Sequence, residues 1–341
     1  MKSIQLPISK SIANRLLMLQ AINNFPLMKV SGEDVPDDVR LLHDALEAIR
    51  NGADGLNLDN CGTAMRFLTA YCAQRNGHSI FLDGNARMRQ RPIGQLVEAL
   101  RDCGADIEYW EEDGFPPLVI HGTRLDHTPI RFDGFRSLMS SQFISALLLI
   151  GMDVPSENDS PYITMTRAMM ARWKSGERHF CERDWSSAAF WYEYVAIHGG
   201  EFYLHDLKPS TLQGDQVVAD IFRNFGVKTY FEQDGVRIIR EREVQPYAMT
   251  FQYSFRDCPD LYPAVALTCR QLHILFHPSD IERLRYKECD RVFAVEHLRT
   301  DHDHRMAMAL LAAGLPCDDI DCIRKSYPSF YKQLCCLNYE T

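Results

Sequence analysis

Six times along this chain a polar cluster rich in Ser, Asp, Asn or Gly runs directly into small and apolar residues at helical spacing. The clusters are Ser9-Lys10-Ser11 before IANRLLMLQA, Asn60-Cys61-Gly62-Thr63 before AMRFLTAY, and Ser140-Ser141-Gln142 before FISALLLI. In the second half they are Asp184-Trp185-Ser186-Ser187 before AAFWYEY, Cys258-Pro259-Asp260 before LYPAVALTC, and Asp303-His304-Arg305 before MAMALLAAG. Ser, Thr, Asp and Asn in such places are helix N-caps. Three helix starts in each half predict two similar domains, in keeping with 341 residues at about 150 per domain. Strand-like runs lie between them at His78–Leu82, Leu118–Ile120, Glu201–Leu204, Val236–Ile239 and His273–Phe276. Further helices fit Asp38–Arg50, Ile93–Cys103 (stopped by Gly104) and Gln216–Phe225 (stopped by Gly226). Alternating strands and helices give an α/β or α+β protein.

Composition narrows the function. Hydrophobic residues make up 46% and charged residues 24%, a globular balance that excludes disorder and a disulfide miniprotein. The apolar run from Ile144 to Met152 is too short to span a bilayer, and the N-terminus lacks the apolar core of a signal peptide. Eleven cysteines without a C-x-x-C pair read as buried thiols of a reduced, cytoplasmic protein. With 37 basic against 46 acidic residues the net charge is −9, which disfavours nucleic acid as a partner. A small anion remains compatible, because a desolvated cleft is governed by its nearest charges.

Several helix starts carry cations. Ser11 and Arg15, four residues apart, share a helix face with Lys10 at its mouth, a set suited to phosphate or carboxylate; a capped surface helix is the plain alternative. Arg87, Arg89 and Arg91 fall close together; the first two read as a solvated turn, while Arg91 precedes Pro92 at a helix entry. Lys287, Glu288, Asp290 and Arg291 place cations beside carboxylates, the mixture that acid–base chemistry requires, although an exposed charged helix has the same composition. The run Asp301 to Arg305 contains two His and two Asp, but a metal needs converging ligands and a distant third. Anion binding through His304 and Arg305 is favoured over a metal. Lys325 taken alone reads as solvated.

Together, KSIANR, NCGTAMR, RMRQRPIG, SSQF, CPD, KECDR, DHRMAM and KSYP occur in an order that resembles the 5-enolpyruvylshikimate-3-phosphate synthase family from Leu6 to about Phe330. The resemblance implies an inside-out barrel of two similar domains, residues 10–181 and residues 1–9 with 182–341. Each would hold three βαβαββ copies, with the active site in the cleft between them. It also implies an enzyme without metal or organic cofactor, a monomer with no membrane partner. Its substrates would be shikimate 3-phosphate and phosphoenolpyruvate. Lys10, Ser11, Arg15, Ser140, Ser141, Gln142 and Tyr162 match the shikimate 3-phosphate site. Asp260 matches the base at the 5-hydroxyl, Lys287 lies beside that substrate, and Glu288 matches a proton donor. Lys10, Gly62, Arg91, Gln142, Arg291, Arg305 and Lys325 match the phosphoenolpyruvate site, with Gly62 compatible with a glyphosate-sized pocket. Asn60, Thr63, Glu182, Asp184 and His304 match other cleft positions.

The chain departs from the family in two ways. It is shorter, notably over Val30–Leu58, between PYITMTRAMM and ERDWSSA, and between Arg291 and Asp303, so strands of the repeats should be missing and edges unpaired. An expected serine falls at Asp159, beside Ser160, and an expected asparagine at Arg283; their opposite charges are expected to compensate each other. Two other functions compete: transfer of enolpyruvyl to UDP-N-acetylglucosamine, which favours Lys-Asn over Lys10-Ser11, and a non-catalytic anion-binding homologue with degraded repeats.

Overall fold

Each of the six polar clusters opens a helix in the computed structural model, which describes residues 2–127, 140–155, 159–241 and 249–338. The helices are Lys10–Ile22, Gly62–Ala73, Ser141–Leu149, Trp185–His198, Tyr262–Gln271 and His304–Ala312, the fifth entered through a 3-10 turn at Pro259–Leu261. Side-chain caps close three of them. Ser140 accepts from the backbone N–H of Gln142, Asp184 from that of Ser187 and Asp303 from that of Arg305. The helices Gly62–Ala73 and Trp185–His198 are buried almost all round, which explains their small and aromatic residues in place of a polar face. Gly104 and Gly226 take positive φ just past their helices, as expected of helix stops.

The strands are β1 (Lys2–Gln5), β2 (Gly55–Asn57), β3 (Ser79–Asp83), β4 (Asp106–Tyr109), β5 (Leu118–His121), β6 (Glu201–His205), β7 (Val227–Glu232), β8 (Gly235–Arg240), β9 (Thr250–Ser254) and β10 (Leu275–Ser279). The chain divides into two compact units: residues 1–10, 31–37 and 181–341, called the first unit below, and residues 11–30 and 38–180, called the second unit. The second unit has a sheet in the order β2-β3-β5-β4, and the first unit one in the order β1-β6-β8-β7. In both, the first pair is parallel and the next two antiparallel. Each sheet with its two connecting helices is therefore one βαβαββ copy.

The three copies per domain implied by the resemblance are not found among the described residues. Among the described residues a second copy in the first unit stops at the parallel pair β9–β10, and the remaining helix starts have no sheet of their own. The reason is length. The helix Arg291–His297 is followed almost at once by His304–Ala312, and a strand pair at about five residues per strand needs ten or more. The helices compensate by packing on one another. In the first unit Trp191, Phe190, Tyr327 and Phe330 form an aromatic cluster, with the Trp191 indole donating to the Tyr327 hydroxyl at 3.2 Å.

Candidate active site

In the first unit the charged residues picked out by sequence converge on one guanidinium. Arg291 is 1% exposed and reaches three carboxylates: Nε to Asp303 at 2.7 Å, Nη1 to Asp260 at 2.8 Å and Nη2 to Glu288 at 2.9 Å. Arg305 takes the other Asp260 oxygen at 2.8 Å, Lys287 stands 3.6 Å from Asp260, and Lys325 stands 3.8 Å from Glu288. Burial opposes ionisation of Asp260, but Arg305, Lys287 and Arg291 outweigh it and hold its carboxyl well below the usual range. Burial lowers the Lys287 ammonium from its ordinary value despite the attraction of Asp260, which makes it a readier proton donor. Local geometry produces this convergence: Asp260 sits in the 3-10 turn, Arg291 opens its helix under the Asp290 cap, and Asp303 both caps the next helix and holds Arg291.

His304 lies at that same helix start, fully buried, and neither ring nitrogen has a hydrogen-bond partner. Burial, followed by the charges of Lys10 and Arg305, keeps its pKa well below the ordinary value, so the ring is neutral. The DHDH run does not converge. Asp303 holds Arg291, Asp301 pairs with Arg299, and His302 pairs with Asp319. Asp184 caps its helix, and its pKa is raised by burial against the pull of Arg305, Ser187 and Lys10. Glu182 is held by Ser210 at 2.5 Å and Gln213 at 2.8 Å. Lys325, read from sequence as solvated, is largely buried against Glu288.

In the second unit two helix starts meet. The Gln142 side chain donates to the Thr63 hydroxyl at 3.3 Å, joining the start of Ser141–Leu149 to that of Gly62–Ala73. Arg91, 4% exposed, donates from Nη1 to both the backbone and side-chain oxygens of Asn60 at 3.1 Å. Its guanidinium lies on Gly62, where an added Cβ would come within 2.4 Å of Nη2. Arg15 is buried and donates to Thr166, Ser145 and the carbonyls of Ser11 and Tyr162; burial lowers its pKa to about 10.

Sequence reasoning missed three participants. Asp159 has a cation within its own unit that the sequence did not mark, Arg167 at 2.6 Å on the helix Pro161–Lys174. Arg167 is anchored in turn by the carbonyls of Val154 and Pro155, and the Ser160 hydroxyl beside Asp159 is buried without a partner. The solvated turn expected at Arg89 is instead a two-point pair with Asp83, at 3.0 and 2.6 Å. Asp215, buried and bonded to Ser186 at 2.5 Å, was not singled out; it sits in QGDQ, where only a turn signal marks it.

A family model for EPSP synthase (3-phosphoshikimate 1-carboxyvinyltransferase) matches residues 28–176 and 171–300. The 3-phosphoshikimate 1-carboxyvinyltransferase of Bacteroides fragilis is 32% identical over 400 aligned positions, covering 97% of this chain and 94% of that protein. The protein of that name from Syntrophobacter fumaroxidans is 28% identical, covering 96% and 95%. Because 400 positions align with 341 residues, the gaps fall inside the chain. An EPSP synthase structure from Acinetobacter baumannii superposes with a TM-score of 0.67 at 20% identity, covering 97% of this chain and 94% of that one, and thus shares its fold. No helix among the described residues is long and apolar enough to cross a membrane. With its ordered motifs and nearly end-to-end match to these relatives, the chain belongs to the EPSP synthase family.

Proposed function

We propose that this protein transfers the enolpyruvyl group of phosphoenolpyruvate to the 5-hydroxyl of shikimate 3-phosphate, releasing phosphate, in the cytoplasmic pathway to chorismate and the aromatic amino acids. The observation that carries this reading is Asp260, an ionised carboxylate gripped by Arg291, Arg305 and Lys287, with Glu288 on the same guanidinium. A carboxylate base and the Lys287 ammonium, a proton source, thus stand 3.6 Å apart, with Glu288 on the same Arg291, and this retained set argues against a binding-only homologue.

Asp260 takes the proton of the 5-hydroxyl as that oxygen attacks C2 of phosphoenolpyruvate. Glu288 or Lys287 delivers a proton to C3, and a tetrahedral ketal forms. Loss of a C3 proton then expels phosphate and regenerates the double bond. Without substrate, Asp260 is a weak base because three cations hold its charge. Substrate phosphate and carboxylate recruit the same cations, weaken that hold and raise the basicity of Asp260 when it is needed. Ser11, Ser140, Ser141, Gln142 and Tyr162 are assigned to shikimate 3-phosphate, with Lys10 and Arg15 supplying charge. Gly62, Arg91, Arg305 and Lys325 are assigned to phosphoenolpyruvate. Arg15, with its donors already engaged, acts chiefly by fixing Ser11 and Tyr162.

Phosphate release from phosphoenolpyruvate tests the reaction. It should require shikimate 3-phosphate, survive excess chelator and yield vinyl proton signals of the enolpyruvyl ether. Release with UDP-N-acetylglucosamine in its place, or with phosphoenolpyruvate alone, would assign a different reaction.

A further inference from the structure

Asp215 stands behind the catalytic cluster and has no place in the reaction as assigned. It belongs to the 3-10 turn Gly214–Val217 that leads into the helix Val218–Arg223, and it is 4% exposed. Its carboxylate accepts a 2.5 Å hydrogen bond from Ser186, one residue inside the helix that Asp184 caps. Its carboxyl feels the charges of Asp260 on the 3-10 turn, Arg305 on the helix His304–Ala312, and Asp184. Tyr253 on β9 and Cys258 also feel its charge. Three carboxyl groups, Asp184, Asp215 and Asp260, therefore share the field of Arg305, whose Nη2 already touches Asp260 at 2.8 Å.

We propose that Asp215 is a positioning residue for Arg305: buried and anchored by Ser186, it is kept neutral, so that Arg305 stays with Asp260 until the substrate anions take it. Like charges that feel one another in a dry pocket do not all ionise together. Asp260 keeps its charge because Arg305, Lys287 and Arg291 face it. Burial and the Asp260 charge push Asp215 up to about 7, offset only in part by the Ser186 bond and Arg305. When Asp215 loses its proton, the new charge competes with Asp260 for Arg305 and repels an incoming anion. Capture of phosphoenolpyruvate should then weaken as pH rises.

The inference rests on the function proposed above, so the experiment reads both. Phosphate release is followed against pH for the wild type, Asp215→Asn and Ser186→Ala, and the carbonyl stretch of protonated carboxyls is followed by infrared difference spectroscopy on the same proteins without substrate. In the wild type, kcat/KM for phosphoenolpyruvate should fall above a midpoint of about 7, approaching about tenfold per pH unit. Asp215→Asn should lose that limb and the matching infrared band. Ser186→Ala, which removes a bond that favours the ionised form, should move both to higher pH, a change that a merely structural residue would not produce. The same limb and band in Asp215→Asn as in the wild type, or an unmoved limb in Ser186→Ala, would overturn the role of Asp215. A wild type that titrates by infrared but never releases phosphate would overturn the assigned reaction instead.

Discussion

Arg291 is the most constrained charge in the protein. Three carboxylates share its guanidinium, and burial alone would disfavour its ionisation; Asp303, Glu288 and Asp260 reverse that and hold its pKa well above the ordinary value. Removing one partner of such a buried group leaves uncompensated charge, typically at a cost of about 3–5 kcal/mol. Arg291→Met should therefore lower unfolding free energy by that amount in urea melts at neutral pH, with a smaller loss in acid, where the carboxyls protonate. Gly62 is constrained sterically. An Ala there puts a methyl 2.4 Å from the Arg91 guanidinium, which must swing off the helix start and its Asn60 oxygens. Gly62→Ala should raise KM for phosphoenolpyruvate and weaken glyphosate inhibition while unfolding free energy stays close to wild type. An unchanged KM would remove Arg91 from the site. At this scale the sequence was most legible where residue type and chemistry coincide: Asp260, Glu288, Lys287 and Arg305 do lie together. It was opaque where a partner is set by the fold, as with Arg167 for Asp159 or Ser186 for Asp215.

At the scale of elements, helices were easier to foresee than strands. A polar cap followed by small apolar residues leaves a long signal, and all six such helices form. Strands β1, β4 and β7 bury only one residue each among polar neighbours, so alternation hardly registers. The helix Trp185–His198 contains an element-scale anomaly. Glu193 is fully buried, with neither carboxylate oxygen partnered, and burial raises its pKa well above the ordinary value. A carboxyl raised on folding binds its proton more tightly in the native state. Its stabilising contribution is complete below the unfolded pKa and is lost as pH climbs toward the folded one, at about 1.4 kcal/mol per pH unit. Glu193→Gln, which has no such proton to keep, should raise the melting temperature more at pH about 8 than at about 5. An equal gain at both would mean that Glu193 is already paired in the folded state.

For the whole molecule, relatives align from end to end across internal gaps, and all six helix starts read from the sequence are present. A protein of net charge −9 can accept two anions because its cations are concentrated and desolvated. The central claim is that Asp260 is the base around which this charge is arranged. Single-turnover kinetics with Asp260→Asn, paired with calorimetric binding of shikimate 3-phosphate, test it most directly. The account predicts retained binding with turnover lowered by about 10²–10⁴. A variant that binds shikimate 3-phosphate and turns over at near the wild-type rate would contradict it.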